Sequence, residues 1–403
     1  MKASLVRGLA ALIASGGLCA AASAQIGGTV FLDYGGFNGT PQGNVTALDT
    51  TFFPGLAAAD LQPLKDAILA DMRAAYTGFS INITDQLPAG NFTRIVIGNT
   101  GTVSTDALGV ANQIDFRNTR FDNIVSVLAK PITAAPFPAA TRAQYAQCMA
   151  NVASHELGHV LGLMHSDVVS TSVASGSAAV QDNEIMTAVR LYNGAREITT
   201  KTFGEYSKRK VYVGTHGVNL ELENGTTTFY APGSADPARA GATGATIGTA
   251  INLNFDTDSN VVVLGNLNSA ADVYKFTAVK NTRVSTEVFS QALAAAVGTG
   301  TPGFVSRIAN PVTNAIVELL DSTGTVIQAT QYTPSSDFDG AAGGDAGSDA
   351  LIYGFNIPAD GTYGVRVRSA ANTGDYELYV AVPAPASMAL LAFGLGVVSR
   401  RRR

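Results

Sequence analysis

Three of the chain's four histidines lie within eleven residues, in the run His155-Glu156-Leu157-Gly158-His159-Val160-Leu161-Gly162-Leu163-Met164-His165. On a helix, His155 and His159 are i and i+4, so their rings project from one face and can share a metal. Neutral imidazoles at that spacing are a common zinc grip. Glu156 stands beside such a metal rather than on it, where a carboxylate can accept a proton from water that the metal activates. Gly162 can adopt the left-handed conformation that ends a helix sharply. The chain then turns back, so that His165 can supply a third ligand. Three protein ligands leave one position open, as in a catalytic zinc site rather than a closed structural one. The plain alternative is a chance HExxH on a buried helix. Glycine and a third histidine in register, in a chain otherwise almost without histidine, argue against it.

The extended run resembles the metzincin metallopeptidases. The text from Ser154 to Ser166 (SHELGHVLGLMHS) is most similar to the matrixin branch. The resemblance implies hydrolysis of peptide bonds, with His155, His159 and His165 on zinc and Glu156 as general base. It also implies a methionine turn under the metal, best matched by Met186 in Asn183-Glu184-Ile185-Met186-Thr187-Ala188. Met149 and Met164 lie on the active-site helix and read as core. The chain departs from matrixins in the longer stretch 167–182, rich in Ser, Ala and Val, which could form a loop over the cleft. Ala188 stands where astacins and serralysins carry a tyrosine, so no such tyrosine is assigned. In this family an extended substrate pairs with the edge strand of the sheet, expected here within Ile114 to Ala129.

These residues need a frame. From Gly27 to Glu205 the pattern predicts one α+β unit. Thr29 to Tyr34, Phe79 to Thr84, Thr93 to Ile97 and Phe121 to Ala129 read as strands. Asp60 to Tyr76 has apolar residues at helical spacing, with Asp60 as N-cap. Thr141 to Leu161 reads as the helix that carries the zinc run. Beyond it, 206–250 holds His216 and a Gly/Ala/Pro-rich piece and reads as a linker. His216 is expected at the surface, since three ligands suffice. From Ile251 to Val382, short apolar runs alternate with turn residues, the rhythm of an antiparallel sandwich. Asp272-Val273-Tyr274-Lys275-Phe276, Leu320-Asp321-Ser322-Thr323-Gly324 and Asn372-Thr373-Gly374-Asp375-Tyr376 are similar to the bacterial pre-peptidase C-terminal domain. The expected fold is therefore α+β: a metzincin-like zinc protease domain at 25–205, a linker at 206–250 and an antiparallel β-sandwich at 251–382. The acidic loop Asp337 to Asp349 and the run Asp256 to Asn260 could bind calcium. Neither completes a twelve-residue calcium loop, and a solvated polar loop is the alternative.

The ends address the chain to the exterior. Lys2 and Arg7, an apolar stretch from Leu9 to Ala22, and Ala22-Ser23-Ala24 read as a signal peptide at 1–24. At 383–403, a Pro-Ala-Pro start, an apolar run and four closing arginines resemble the PEP-CTERM sorting signals of bacterial exported proteins. Alanine stands where that family's name implies glutamate. The resemblance implies removal by a membrane protease at the cell envelope, and a plain tail anchor is the alternative. Cys148 is the one cysteine left once Cys19 departs with the signal, so no internal disulfide can form. It reads as a small buried residue. Six of the 26 basic residues lie in the two end segments and none of the 31 acidic ones does, which leaves a net charge of −11 between them. That, with no basic stripe in the sequence, argues against nucleic acid as a partner. The expected partners are a protein or peptide substrate and the tail-processing protease, with the chain a monomer. The rival from another class is a surface adhesion protein with a vestigial zinc site.

Overall fold

The computed structural model describes residues 27–103, 107–134, 141–163, 184–186, 198–289, 303–304, 310, 312, 314–330 and 350–383. It is mixed α/β, with many more strands than helices. The first half contains β1 (Thr29–Asp33), β2 (Phe37–Thr40), β3 (Gly43–Val45), α1 (Leu61–Ala75), β4 (Asn82–Thr84) and β5 (Thr93–Gly98). It continues with β6 (Gly109–Ala111), β7 (Gln113–Ile114), β8 (Ile124–Leu128), α2 (Ala129–Ala134) and α3 (Arg142–Val160). Five of these strands form one sheet in the order β4-β1-β5-β8-β6. The first four run parallel, and β6 is antiparallel to β8. The central strands read as near-continuous apolar runs because both of their faces are covered.

Helices α1 and α3 pack against this sheet. Leu64, Ile68 and Met72 fall at i, i+4 and i+8 on α1 and share one core with Ile95, Ile97, Val125, Val127, Met149, Val152 and Leu157. Cys148 lies in the same core. The start of α3 is a capping box: Thr141 Oγ1 accepts from the Gln144 amide at 3.3 Å and Gln144 Oε1 accepts from the Thr141 amide at 3.1 Å. Asp60 does not cap α1 through its side chain as expected. Its carboxylate turns back to the Ala57 amide and closes the preceding turn, while Arg142 takes the other oxygen. The edge strand also differs from expectation. Within 114–129 lies β8, which is paired on both sides by β5 and β6. Among the described residues the edges of this sheet are β4 and β6, and β6 lies just before that segment.

The second half holds α4 (Glu205–His216), β9 (Val218–Leu222), β10 (Thr227–Tyr230), β11 (Ile251–Asn252), β12 (Asn260–Leu267), β13 (Asp272–Ala278) and β14 (Arg283–Phe289). Then follow β15 (Gly303–Phe304), β16 (Ala315–Leu320), β17 (Val326–Ala329), β18 (Ala350–Asn356), β19 (Gly361–Ser369) and β20 (Gly374–Ala381). One sheet has the order β10-β9-β12-β20-β14-β18 and the other β11-β13-β19-β16-β17. Their inner faces, including Val261, Val263, Leu378 and Val380 from the first sheet and Tyr274, Val317, Leu319 and Val365 from the second, form one core. The sandwich is not wholly antiparallel, because β9 runs parallel to β12 and β11 parallel to β13. This corrects the linker as well. Within 206–250 lie most of a helix and two strands, and β9 extends a sandwich sheet.

The halves share a third core. Ile114 and Phe116 from the first half pack with Val213, Val218 and Leu220 and with the sandwich residues Val262, Phe289 and Tyr379. Phe116 stacks on Phe289 at 4.3 Å between ring centroids. Arg117, fully buried, places its guanidinium between Asp236 at 2.7 Å and Glu377 at 3.0 Å. The buried Lys210 of α4 meets Glu287 of β14 at 3.0 Å. Strand β15 adds a short parallel pairing to β7.

Candidate metal centre

The zinc run occupies the last turns of α3, one of the most deeply buried segments in the first half. His155 and His159 face each other edge to face, with ring centroids 4.8 Å apart. Each ring is tied through Nδ1 to a backbone carbonyl: His155 to Ile185 at 2.8 Å, and His159 to Leu163 at 2.8 Å. A carbonyl only accepts, so Nδ1 carries the hydrogen in both rings. Nε2 is then the nitrogen with the lone pair that a metal needs. Burial, then the neighbouring His159, holds His155 well below the ordinary histidine range. Burial alone brings His159 down to about 4. Both imidazoles are therefore neutral at pH 7, the ligand form.

The turn after α3 follows from Gly162. Its φ is +92°, in the left-handed region, and a Cβ there would come within 2.5 Å of Phe116 Cα. The Gly162 amide returns to the His159 carbonyl and the Leu163 amide to the Gly158 carbonyl at 3.0 Å. This turn aims the Leu163 carbonyl at the His159 ring.

Beneath the helix lies Met186, completely buried. Gly158 faces it with no room for a side chain, since a Cβ would overlap the Met186 sulfur. Glu156 is buried and packs against β6: a Cβ on Gly109 would lie 2.7 Å from its Cγ and 2.9 Å from its Oε1. The carboxylate thus borders the edge strand. His216 sits apart at the end of α4, its ring 4.8 Å from Tyr212 and its Nδ1 3.0 Å from the Thr215 hydroxyl.

Among the described residues no three metal-binding side chains converge. The third expected ligand, His165, lies outside them, as do the 167–182 insertion, the acidic loop 337–349, the signal segment and the 384–403 tail. The other calcium candidate is turned to local structure. Asp256 Oδ1 accepts from the Asp258 and Asn260 amides at 2.9 and 2.8 Å, closing its own turn. No described helix is long and apolar enough to cross a membrane. A cavity of about 300 Å³ opens away from the histidines, where Glu205, Tyr206 and Arg209 of α4 meet Arg283 and Tyr353.

Gly109, the carbonyls of Ile185 and Leu163, and Glu184 also border the histidine helix or its turn. Gly109 carried a usable signal, since glycine inside a strand marks close approach of a neighbour. Backbone carbonyls carry none.

No family model matches the chain, and no curated protein matches it. Among solved structures, a pre-peptidase C-terminal domain of a collagenase from Bacillus anthracis is 16% identical. That match covers 33% of this chain and 93% of that domain, with a TM-score of 0.20. PliG from Aeromonas hydrophila, a periplasmic inhibitor of g-type lysozyme, is 13% identical over 33% of this chain and 95% of its own, with a TM-score of 0.19. At such TM-scores neither likeness carries weight for fold or chemistry.

Proposed function

We propose that this chain is an exported zinc metalloendopeptidase of metzincin type. The observation that carries the proposal is the pair of i, i+4 histidines whose Nδ1 atoms are both committed to backbone carbonyls, with Glu156 between them in sequence. Two neutral imidazoles in one tautomer suit a borderline-soft divalent ion, and His165 is the third ligand by its place in the run. When bound, zinc supplies Lewis acidity at the scissile carbonyl and lowers the pKa of water to ~7.

The remaining chemistry belongs to the chain. Glu156 accepts the proton of the attacking water and delivers it to the leaving amine nitrogen. Its burial against Gly109 holds the carboxylate beside β6. On the side away from β8, β6 has no partner strand among the described residues, which suits an extended peptide laid alongside it. Met186 gives the site an apolar floor. The signal and tail segments, read from sequence, support export and retention at the envelope.

The purified chain is expected to hold about one zinc and to cleave casein in a chelator-sensitive manner. His159→Ala is expected to lose both. Well-folded wild-type protein without zinc would overturn the proposal.

A further inference from the structure

Glu184 is a buried acid that the zinc-peptidase reading leaves without a task. It opens the turn 184–186, in which each residue makes a different link. Ile185 offers its carbonyl to His155 Nδ1 at 2.8 Å. Met186 lies under Gly158. Glu184 reaches the other way, to the start of α4.

That helix begins at the N-cap Gly204, which has no side chain to satisfy the first amides. A Cβ on Gly204 would overlap Glu184 Oε2, so the carboxylate fills the place where a capping side chain would project. Burial pushes the Glu184 carboxyl up to about 7 from 4.5, against the Ser207 hydroxyl, at the third helical position, and the Gly204 amide, which both favour its charged form. A carboxylate at a helix N-terminus also meets the positive end of the dipole. Helix α4 is a fixed post for this contact. Lys210 is paired with Glu287 of the sandwich, Tyr206 hydrogen-bonds the same carboxylate, and Asn118 Nδ2 donates to the Gly214 carbonyl at 2.9 Å.

We propose that Glu184 is a positioning residue: it caps α4 from outside the helix and thereby holds the Ile185 carbonyl where it orients His155. The metal in this proposal rests on the zinc-peptidase reading, but the orientation of the His155 ring does not. Glu184 acts through the backbone and touches no substrate. The Ile185 amide, bonded to the Thr202 carbonyl at 3.0 Å, holds the same turn from the other side. Loss of Glu184 therefore loosens the turn without releasing it.

The test uses the purified full chain as wild type, Glu184→Ala and Glu184→Gln. Zinc affinity is measured by chelator competition, and the His155 Nδ1–H is followed by NMR on side-chain-labelled histidine. Removing a group that orients a ligand is expected to weaken zinc binding by roughly 10–100-fold. Glu184→Ala should show that loss together with faster exchange of the His155 Nδ1–H. Glu184→Gln keeps the acceptor and the size, and should stay close to wild type in both. An alanine variant that binds zinc like wild type, with the Nδ1–H unchanged, would overturn the proposal. So would a glutamine variant as impaired as alanine, which also decides the matter if alanine fails to fold. If wild type binds no zinc, the metal reading falls, and the exchange of the Nδ1–H alone decides the role of Glu184.

Discussion

Helix α3 and the sandwich strands both bury polar groups, but they complete them differently. On α3 each imidazole has its Nδ1 fixed to a backbone carbonyl, which sets the tautomer and the direction of the ring. In the sandwich, charge is closed on itself. Glu318 of β16 takes Arg366 at 2.5 Å and Arg368 at 2.8 Å from β19. Asp272, Tyr376, Tyr274 and Glu223 form a hydrogen-bonded chain through the core. At the junction, Arg117 is satisfied by a carboxylate on each side. On the proposed reading the chemistry belongs to a few turns of one helix, and the sandwich is the body against which that helix's layer is held.

The largest expected effect comes from breaking the junction. Arg117→Met leaves Glu377 and Asp236 facing a space with no cation. Removing one partner of a buried pair costs about 3–5 kcal/mol. Chemical denaturation should show that loss, with both halves unfolding in a single transition because they share a core. Two separate transitions in wild type would mean that the halves are independent.

The closed network in the sandwich predicts a pH signature. Burial first, and the charge of Glu223 second, push the Asp272 carboxyl up to about 7 from 3.8. Between those values the folded chain holds a proton that the unfolded chain has released. Stability from this group is complete below about 4 and is lost as pH rises through 7. The denaturation midpoint should fall between about pH 4 and 7, and Asp272→Asn should flatten that dependence. An unchanged slope in the variant would remove Asp272 as the cause.

Smaller effects sharpen the description of α3. Gly162→Ala places a side chain in left-handed backbone against Phe116 and should cost about 1–3 kcal/mol, with weaker zinc binding. Thr141→Ala removes the capping hydroxyl at the far end and should cost about 1 kcal/mol without touching the metal. Thermal melts of both, read beside zinc content, would separate the turn that shapes the site from the cap that only supports the helix.

Legibility followed the range of the interactions. The run from His155 to His165 carries its own spacing, and α3, β1, β5 and β8 announce themselves through periodicity. Strand β6 is three residues long and has no period to read, so the edge was expected too late in the chain. Helix α4 hid inside a supposed linker because it buries Ser207, Lys210 and Thr215 beside Val211 and Val213, and two valines two residues apart make no apolar stripe at helical spacing. Its ion-pair partner Glu287 lies 77 residues from Lys210. Arg117 and Glu377 are 260 residues apart, and nothing local to either announces the pair. Strand β9 became a sandwich strand only through its pairing with β12, which no local pattern encodes.

The most direct measurement compares wild type with Glu156→Ala for bound zinc and for cleavage of an unstructured protein. Both should carry about one zinc, while cleavage falls by roughly 10²–10⁴-fold in the variant, the usual contribution of a positioned general base. A Glu156→Ala protein that cleaves at the wild-type rate would contradict the assignment of the proton transfer to this carboxylate, and with it the peptidase mechanism.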